Sequence, residues 1–388
     1  MTRATRPAVG SRAARLEPLE LAGLFARARA AGALDIAIGT PPGQPPDAAI
    51  TAAEAAMRGG HNQYADAAGL PALRAVAAGR VAAASGVGVD PDTEVTITSG
   101  STEGLLVALL TLTDPGDEVV VIEPSFEIYD GAVALAGCRR VTVPLGPLGW
   151  SLDVDRVAAA FTARTAAVVI NTPHNPTGRV FSRDELARLL DLCARHQVAC
   201  VCDEVYADFV FDAGSHVSPL SFPEHRPQVV VVGSFSKANE MTGWRLGYCV
   251  ADPAVTVALR RVHERTTFGS SAPLQHGAAA VARASCGPER FQRQRDDMVR
   301  RLVGMGFEVT PPQGGWFVLA GTEGLGWPSD ELADRLLAEA GVLVAPGSPF
   351  FQDRRDGRRW IRTTFVKDAA TQSAALDALG AFLAAHPR

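Results

Sequence analysis

Only two of the 388 residues are lysines, Lys237 and Lys367, against 35 arginines. A reaction that needs a primary amine from the protein therefore has two candidates. Lys237 closes the run Ser234-Phe235-Ser236-Lys237, and Gly243-Trp244-Arg245 follows shortly after. Three other polar groups also stand at the ends of apolar, β-branched runs. These are Asp203-Glu204-Val205-Tyr206, His174-Asn175-Pro176-Thr177-Gly178 and Gly100-Ser101-Thr102. Together they supply an acid, a phenol, an amide, a lysine, an arginine and a hydroxyl-rich helix start. That inventory fits pyridoxal 5'-phosphate. Its aldehyde needs a lysine for a Schiff base, and its pyridine nitrogen needs an acid partner to stay protonated. Its ring oxygen needs donors, and its phosphate needs a helix N-terminus with a cation nearby.

These groups act together only if the chain gathers them. Short β-branched runs at 94–98, 118–122, 140–145, 166–171, 198–203, 229–234 and 246–250 read as buried strands. Stretches of helical period lie between most of them, for example 105–112, 130–136 and 183–195. Strands alternating with helices predict an α/β fold with a seven-stranded, mostly parallel sheet covered on both faces. In such a sheet the loops after the strands share one edge, where ligands bind. Ser182 and Glu185 form a capping box with Phe181 and Leu186 as its hydrophobic staple, so a helix starts there. The loop before it carries Asn175, which Pro176 holds away from helical geometry.

After about residue 275 the pattern changes to longer helices and a few strands, at 278–283, 289–304, 315–320, 329–340, 360–365 and 369–386. This predicts a large cofactor-binding domain over residues 36–275. A smaller α+β domain takes 1–35 and 276–388, with a helix near 19–31 packing onto it.

In order and spacing, Asn-Pro-Thr-Gly, Asp-Glu-Val-Tyr and Ser-Phe-Ser-Lys…Thr-Gly-Trp-Arg-Leu-Gly-Tyr resemble the class I/II aminotransferases, pyridoxal-phosphate enzymes of fold type I. Asn62-Gln63-Tyr64…Gly69-Leu70-Pro71…Leu73-Arg74 and Pro312-Gln313-Gly314-Gly315-Trp316-Phe317 look closest to the kynurenine/glutamine/methionine branch. The resemblance covers roughly residues 35 to 370 and implies a role for each matching position. Lys237 carries the cofactor and shuttles protons, Asp203 pairs with the ring nitrogen, and Tyr206 and Asn175 bond the ring oxygen. Phe126 stacks on the ring. Gly100, Ser101, Thr102, Ser234, Ser236 and Arg245 hold the phosphate. Arg362 pairs with the substrate carboxylate, assisted by Gly39 and Asn175. Tyr64 reaches the neighbouring subunit's phosphate, which implies a homodimer.

Taken singly, each residue has a blander reading: Asp203 as a loop residue, Tyr206 as a half-buried aromatic, Lys237 as a solvated amine, Phe126 as core and Arg362 as surface. Their shared order and sheet edge favour the site. The expected activity is transfer of an amino group between an α-amino acid and a 2-oxo acid. The rival reading with the same cofactor is a β-eliminating C–S lyase or another elimination or cyclisation enzyme, because one carbanion feeds all these outcomes. Apolar residues at the expected pocket edge, Thr40–Pro42, Phe126, Trp316 and Phe350, favour large neutral or aromatic side chains. Glu240 and His61 are the residues that would instead accept a polar or basic one. The family's usual Gly-Phe-Pro reads Gly39-Thr40-Pro41 here, a departure on the substrate side.

Other chemistries fit less well. Ser234-Phe235-Ser236-Lys237 matches S-x-x-K, but the chain lacks the S-D-N and K-T-G that penicillin-binding enzymes also need. With no Gly-Lys pair there is no P-loop. About 35 residues precede the first strand, too few for the DNA-binding domain of an aminotransferase-like regulator. A net charge of -5 gives no basic field for nucleic acid, and no apolar run reaches the roughly 18 residues of a membrane span. The six cysteines include no C-x-x-C pair and sit in apolar runs. They read as buried thiols rather than metal ligands, which fits a reducing, cytoplasmic setting. The first fifteen residues carry four arginines and no acid, a composition shared with transit peptides but better read as a frayed end.

Overall fold

The computed structural model describes residues 10–14, 16–146, 149–281 and 286–388. Most of the arginine-rich start, and the end of the element expected over 278–283, lie outside the described residues. The seven expected strands are β1 Val95–Thr98, β2 Glu118–Glu123, β3 Arg139–Pro144, β4 Thr165–Asn171, β5 Ala199–Asp203, β6 Val229–Ser234 and β7 Gly247–Ala251. They form one sheet in the order β1-β7-β6-β5-β4-β2-β3. Strands β2 to β6 pair in parallel. Strand β7 runs antiparallel to both neighbours, β1 and β6. The link into β7 holds only a 3₁₀ turn at Thr242–Trp244, not the crossover helix a parallel return requires. This reversal places Arg245, just before β7, on the edge where β1, β4, β5 and β6 end.

The strands bury both faces, so alternate side chains feed different cores. Val120, Ile122, Val168, Ile170, Val229 and Val231 pack with Leu73, Leu186 and Leu189 on one face. Val119, Val121, Val169, Val201, Val230 and Val232 pack with Leu105, Leu109 and Val133 on the other. The capping box forms as the sequence predicts: Ser182 Oγ accepts from Glu185 N, and the Glu185 carboxylate accepts from Ser182 N at the start of helix Arg183–His196. Phe181 and Leu186 are both buried in the adjacent core.

A second sheet pairs β8 Glu308–Val309, β9 Phe317–Gly321, β10 Ala345–Pro346 and β11 Trp360–Thr364 in the antiparallel order β10-β11-β9-β8. Helices Glu289–Gly304 and Ala369–Ala385 cover it around a separate core that includes Trp316, Phe365 and Leu376. The stretch expected as one helix over 329–340 is an α-helix over Ser329–Arg335 that continues as a π-turn over Leu336–Ala340. The N-terminal helix Glu20–Ala31 sets Leu21, Leu24 and Ala28 against Leu337, Leu343 and Phe350, and Leu34–Asp35 pairs with Val342–Leu343.

Candidate active site

The ends of β1, β4, β5 and β6, the start of β7, the second sheet and the N-terminal helix enclose a cavity of about 320 Å³. Asp203, Tyr206, Lys237, Ser101, Thr102, Phe126, Asn175, Ser234, Ser236, Arg245, Gly39 and Arg362 all line it. Gly100 lies immediately behind this lining: with φ at +83°, it caps the helix Ser101–Leu112, and a Cβ there would fall 2.4 Å from an Arg245 nitrogen. The guanidinium thus lies against the turn that presents the free N–H groups of the helix start. Ser234 Oγ accepts from Ser236 N at 3.0 Å, which shapes the turn leading to Lys237.

Lys237 projects among aromatic rings, its amine 5.0 Å from the Trp316 ring centre and 5.6 Å from that of Tyr206. Burial lowers its ammonium to about 8, helped by the positive Arg362 and Arg245 and opposed by Asp203. Asp203 is buried at the end of β5, and burial raises its carboxyl to about 6. Bonds from the Tyr129 hydroxyl at 2.8 Å and Val205 N at 3.1 Å, together with the charge on Lys237, oppose that rise. Burial also pushes the Tyr206 phenol well above its ordinary range, so it stays protonated.

Arg362 lies on β11, 2% exposed, opposite Leu319 of β9. Its guanidinium stands 4.0 Å from the ring centre of Phe317 and 4.7 Å from that of Phe350. It donates to the Ala37 carbonyl at 3.0 Å and to Asn175 Oδ1 at 3.1 Å, while its Nε has no hydrogen-bond partner among the described residues. Gly39 packs tightly: a Cβ there would stand 2.6 Å from the Phe317 ring, which would have to shift to admit it.

Several functional neighbours escaped the sequence reading. Asn171 ties the site loops together, donating to the Asp203 carbonyl at 2.8 Å and accepting from Asn175 N at 2.7 Å. Glu103, in the first turn behind Gly100, accepts from Ser99 N, His263 Nδ1, Thr266 Oγ1 and Thr267 Oγ1, all within 2.8 Å. Tyr129 is one of four tyrosines in the chain, and a buried phenol must find a partner, so its polar role had a signal. The lid from the N-terminal helix and its lead-in, Leu19, Leu21, Ala22 and Phe25, had none, because its contact is non-local. Glu127 also lines the cavity and accepts from Glu20 N at 3.1 Å, holding that helix start.

Four substrate-side expectations change. Glu240 is engaged with Arg290 at 2.9 Å and lies outside the cavity lining. His61 is exposed against His276, ring centres 4.4 Å apart, also outside it. Trp316 is core, and Phe350 supports Arg362 from behind, so neither forms the wall. Phe317 and the N-terminal lid do. Tyr64 is 86% exposed, meets the Phe268 ring edge to face at 5.1 Å and lies outside its own chain's cavity lining.

The residues fit pyridoxal phosphate: a buried acid, a depressed lysine, and a glycine-capped helix start against an arginine share one cavity. The sequence model for "Aminotransferase class I and II" matches residues 31–379. The methionine aminotransferase of Escherichia coli is 35% identical over 326 residues, 82% of this chain and 84% of that protein. Human kynurenine–oxoglutarate transaminase 1 is 34% identical over 377 residues, 87% of this chain and 89% of that one. Among solved structures, the N-succinyldiaminopimelate aminotransferase of Mycobacterium tuberculosis superposes with a TM-score of 0.92 at 32% identity, covering 96% of this chain and 100% of that chain. With the family model spanning most of its length and the fold shared throughout, this chain belongs to the class I and II aminotransferases, pyridoxal-phosphate enzymes that move an amino group between an amino acid and a 2-oxo acid.

Proposed function

We propose that the enzyme transaminates α-amino acids with large neutral or aromatic side chains, using Lys237 as the catalytic amine, Asp203 as the ring-nitrogen partner and Arg362 as the carboxylate anchor. The convergence of those three residues on one cavity carries the assignment. When bound, the cofactor supplies an aldehyde that takes up the amino group and a ring that withdraws electrons from the substrate Cα. Lys237, with its ammonium lowered to about 8, is a base within reach of neutral pH and moves the proton taken from Cα. Asp203 holds a proton on the ring nitrogen. Tyr206 and Asn175 donate to the ring oxygen, and Phe126 fixes the ring plane. Gly100, Ser101, Thr102, Ser234, Ser236 and Arg245 hold the phosphate. The Arg362 fork, clamped by two aromatic rings and Asn175, is pre-oriented for a carboxylate.

The side-chain preference rests on the wall. Leu19, Leu21, Phe25, Ile38 and Phe317 are apolar, and the carboxylate at that side is Glu127. A second substrate carboxylate would meet this acid and find no further arginine among the described lining residues beyond Arg245 and Arg362. Neutral side chains bury area there at about 25 cal/mol per Å². We further assign residues 36–275 to the large domain and 1–35 with 276–388 to the small one. We also assign a homodimer in which Tyr64 reaches the partner's phosphate, consistent with its exposure beside Phe268, and a cytoplasmic role in amino acid biosynthesis, consistent with the six free thiols.

An amino-acid panel with steady-state kinetics tests the reading. Methionine, phenylalanine or kynurenine should lead. Aspartate or arginine ahead by more than about tenfold, ~1.4 kcal/mol in transition-state binding, would overturn the pocket assignment. Release of pyruvate and ammonia, instead of accumulation of the pyridoxamine form, would favour the eliminating alternative.

A further inference from the structure

Tyr129 stands in the first turn of the helix Ile128–Ala136, 3% exposed, with its ring packed among Val119, Val121, Ala132 and Val169. A phenylalanine would fill that apolar site equally well. A phenol placed there without a partner costs about 1–3 kcal/mol. The hydroxyl's partner is Asp203 Oδ2, 2.8 Å away and 74 residues distant in sequence.

Besides this bond the Asp203 carboxylate is held lightly. Its Oδ1 accepts from Val205 N at 3.1 Å, and Asp203 and Tyr129 both line the cavity. The terminal torsion of an aspartate is broad, so one backbone bond leaves the carboxylate plane free to swing. The second bond, from a ring locked in a packed core, removes that freedom. The same helix region carries Phe126, whose ring lies 6.3 Å from that of Tyr129 at 83°. One short segment thus sets both the surface against which a cofactor ring would stack and the orientation of the acid at its edge.

We propose that Tyr129 is the positioning residue of this site, aiming the Asp203 carboxylate at the cofactor's ring nitrogen and holding it ionised; this rests on the assignment of Asp203 to that nitrogen. The phenol acts only as a donor, because burial and the negative Asp203 push its own ionisation far up. A donor to a carboxylate favours its charged form, which counters the burial that drives Asp203 toward neutrality.

The test uses wild-type, Tyr129→Phe and Asp203→Asn holoenzymes carrying ¹⁵N-labelled pyridoxal phosphate. The ring-nitrogen chemical shift reports its protonation across pH, alongside cofactor stoichiometry, melting temperature, kcat and KM. Tyr129→Phe should keep one cofactor per chain, move the nitrogen's protonation midpoint to lower pH, and lower kcat about tenfold, ~1.4 kcal/mol, with KM within twofold. A nitrogen signal and kcat equal to wild type in Tyr129→Phe, with Asp203→Asn altered, would overturn the role of Tyr129 and leave that of Asp203 standing. If both variants keep the wild-type signal, the Asp203 assignment itself falls. Loss of fold or cofactor in Tyr129→Phe would make the bond merely structural and also overturn the proposal.

Discussion

The residues proposed to carry the chemistry are held at a cost to the fold. Asp203 rises from an ordinary 3.8 to about 6, so the folded chain retains its proton over a pH range where the unfolded chain has lost it. Below about pH 4 both states are protonated and the group is neutral in stability. As pH climbs from 4 through 6 the unfolded state ionises first, and stability falls by up to about 3 kcal/mol, a loss that persists above pH 6. Cofactor-free Asp203→Asn protein should therefore be more stable than wild type at pH 8, with the gain vanishing near pH 4, as read by denaturant midpoints. In the holoenzyme Asp203→Ala should lower kcat by about 3–4 kcal/mol in barrier, the scale of a lost preorganised charge. Near-normal turnover would remove Asp203 from the mechanism. Lys237 is testable by uniqueness: borohydride reduction of the holoenzyme should label one peptide, containing Lys237, and label on Lys367 would refute the assignment. Lys367 is already occupied, donating to Asp35 at 2.8 Å and to the Thr40 carbonyl at 3.1 Å.

At the scale of elements, strand ends and helix starts do the positioning. The capping box at Ser182 starts a helix on the face of the sheet behind the Asn175 loop, and Glu185 also accepts from Arg179 and from Leu152 N. Ser182→Ala should lower stability by about 1 kcal/mol in denaturant unfolding while leaving kcat unchanged. Gly39 is a different case, since the space for its side chain is taken by Phe317, which supports Arg362. Gly39→Ala should displace that ring and its guanidinium, lowering kcat/KM for amino donor and 2-oxo acid alike by about 10–100-fold. An unchanged kcat/KM would show that Phe317 relaxes without moving the anchor. The capping box was legible because it is local, a hydroxyl and a carboxylate three residues apart. The Gly39–Phe317 contact was not, because nearly 280 residues separate its two sides.

At the scale of the whole molecule, Tyr64 is the phenol of the expected site that its own cavity does not use. If Tyr64 completes the partner's site as proposed, mixed Tyr64→Phe and Lys237→Ala proteins should regain activity after subunit exchange, because each hybrid dimer would hold one intact site. A fully active monomer by light scattering would refute the shared site. Composition, strand runs and the ordered motifs determined by themselves that this is an α/β enzyme with a lysine, an acid and an amide on one sheet edge. Strands bury β-branched runs, and loops carry the polar residues, so both signals are written within a few residues of each other. The reversal of β7, the apolar lid from residues 19–25, the engagement of Glu240 by Arg290 and the bond from Tyr129 to Asp203 were decided only in three dimensions. Each depends on which distant segments meet when the cores close. A pairing partner leaves no mark on the local pattern of a chain.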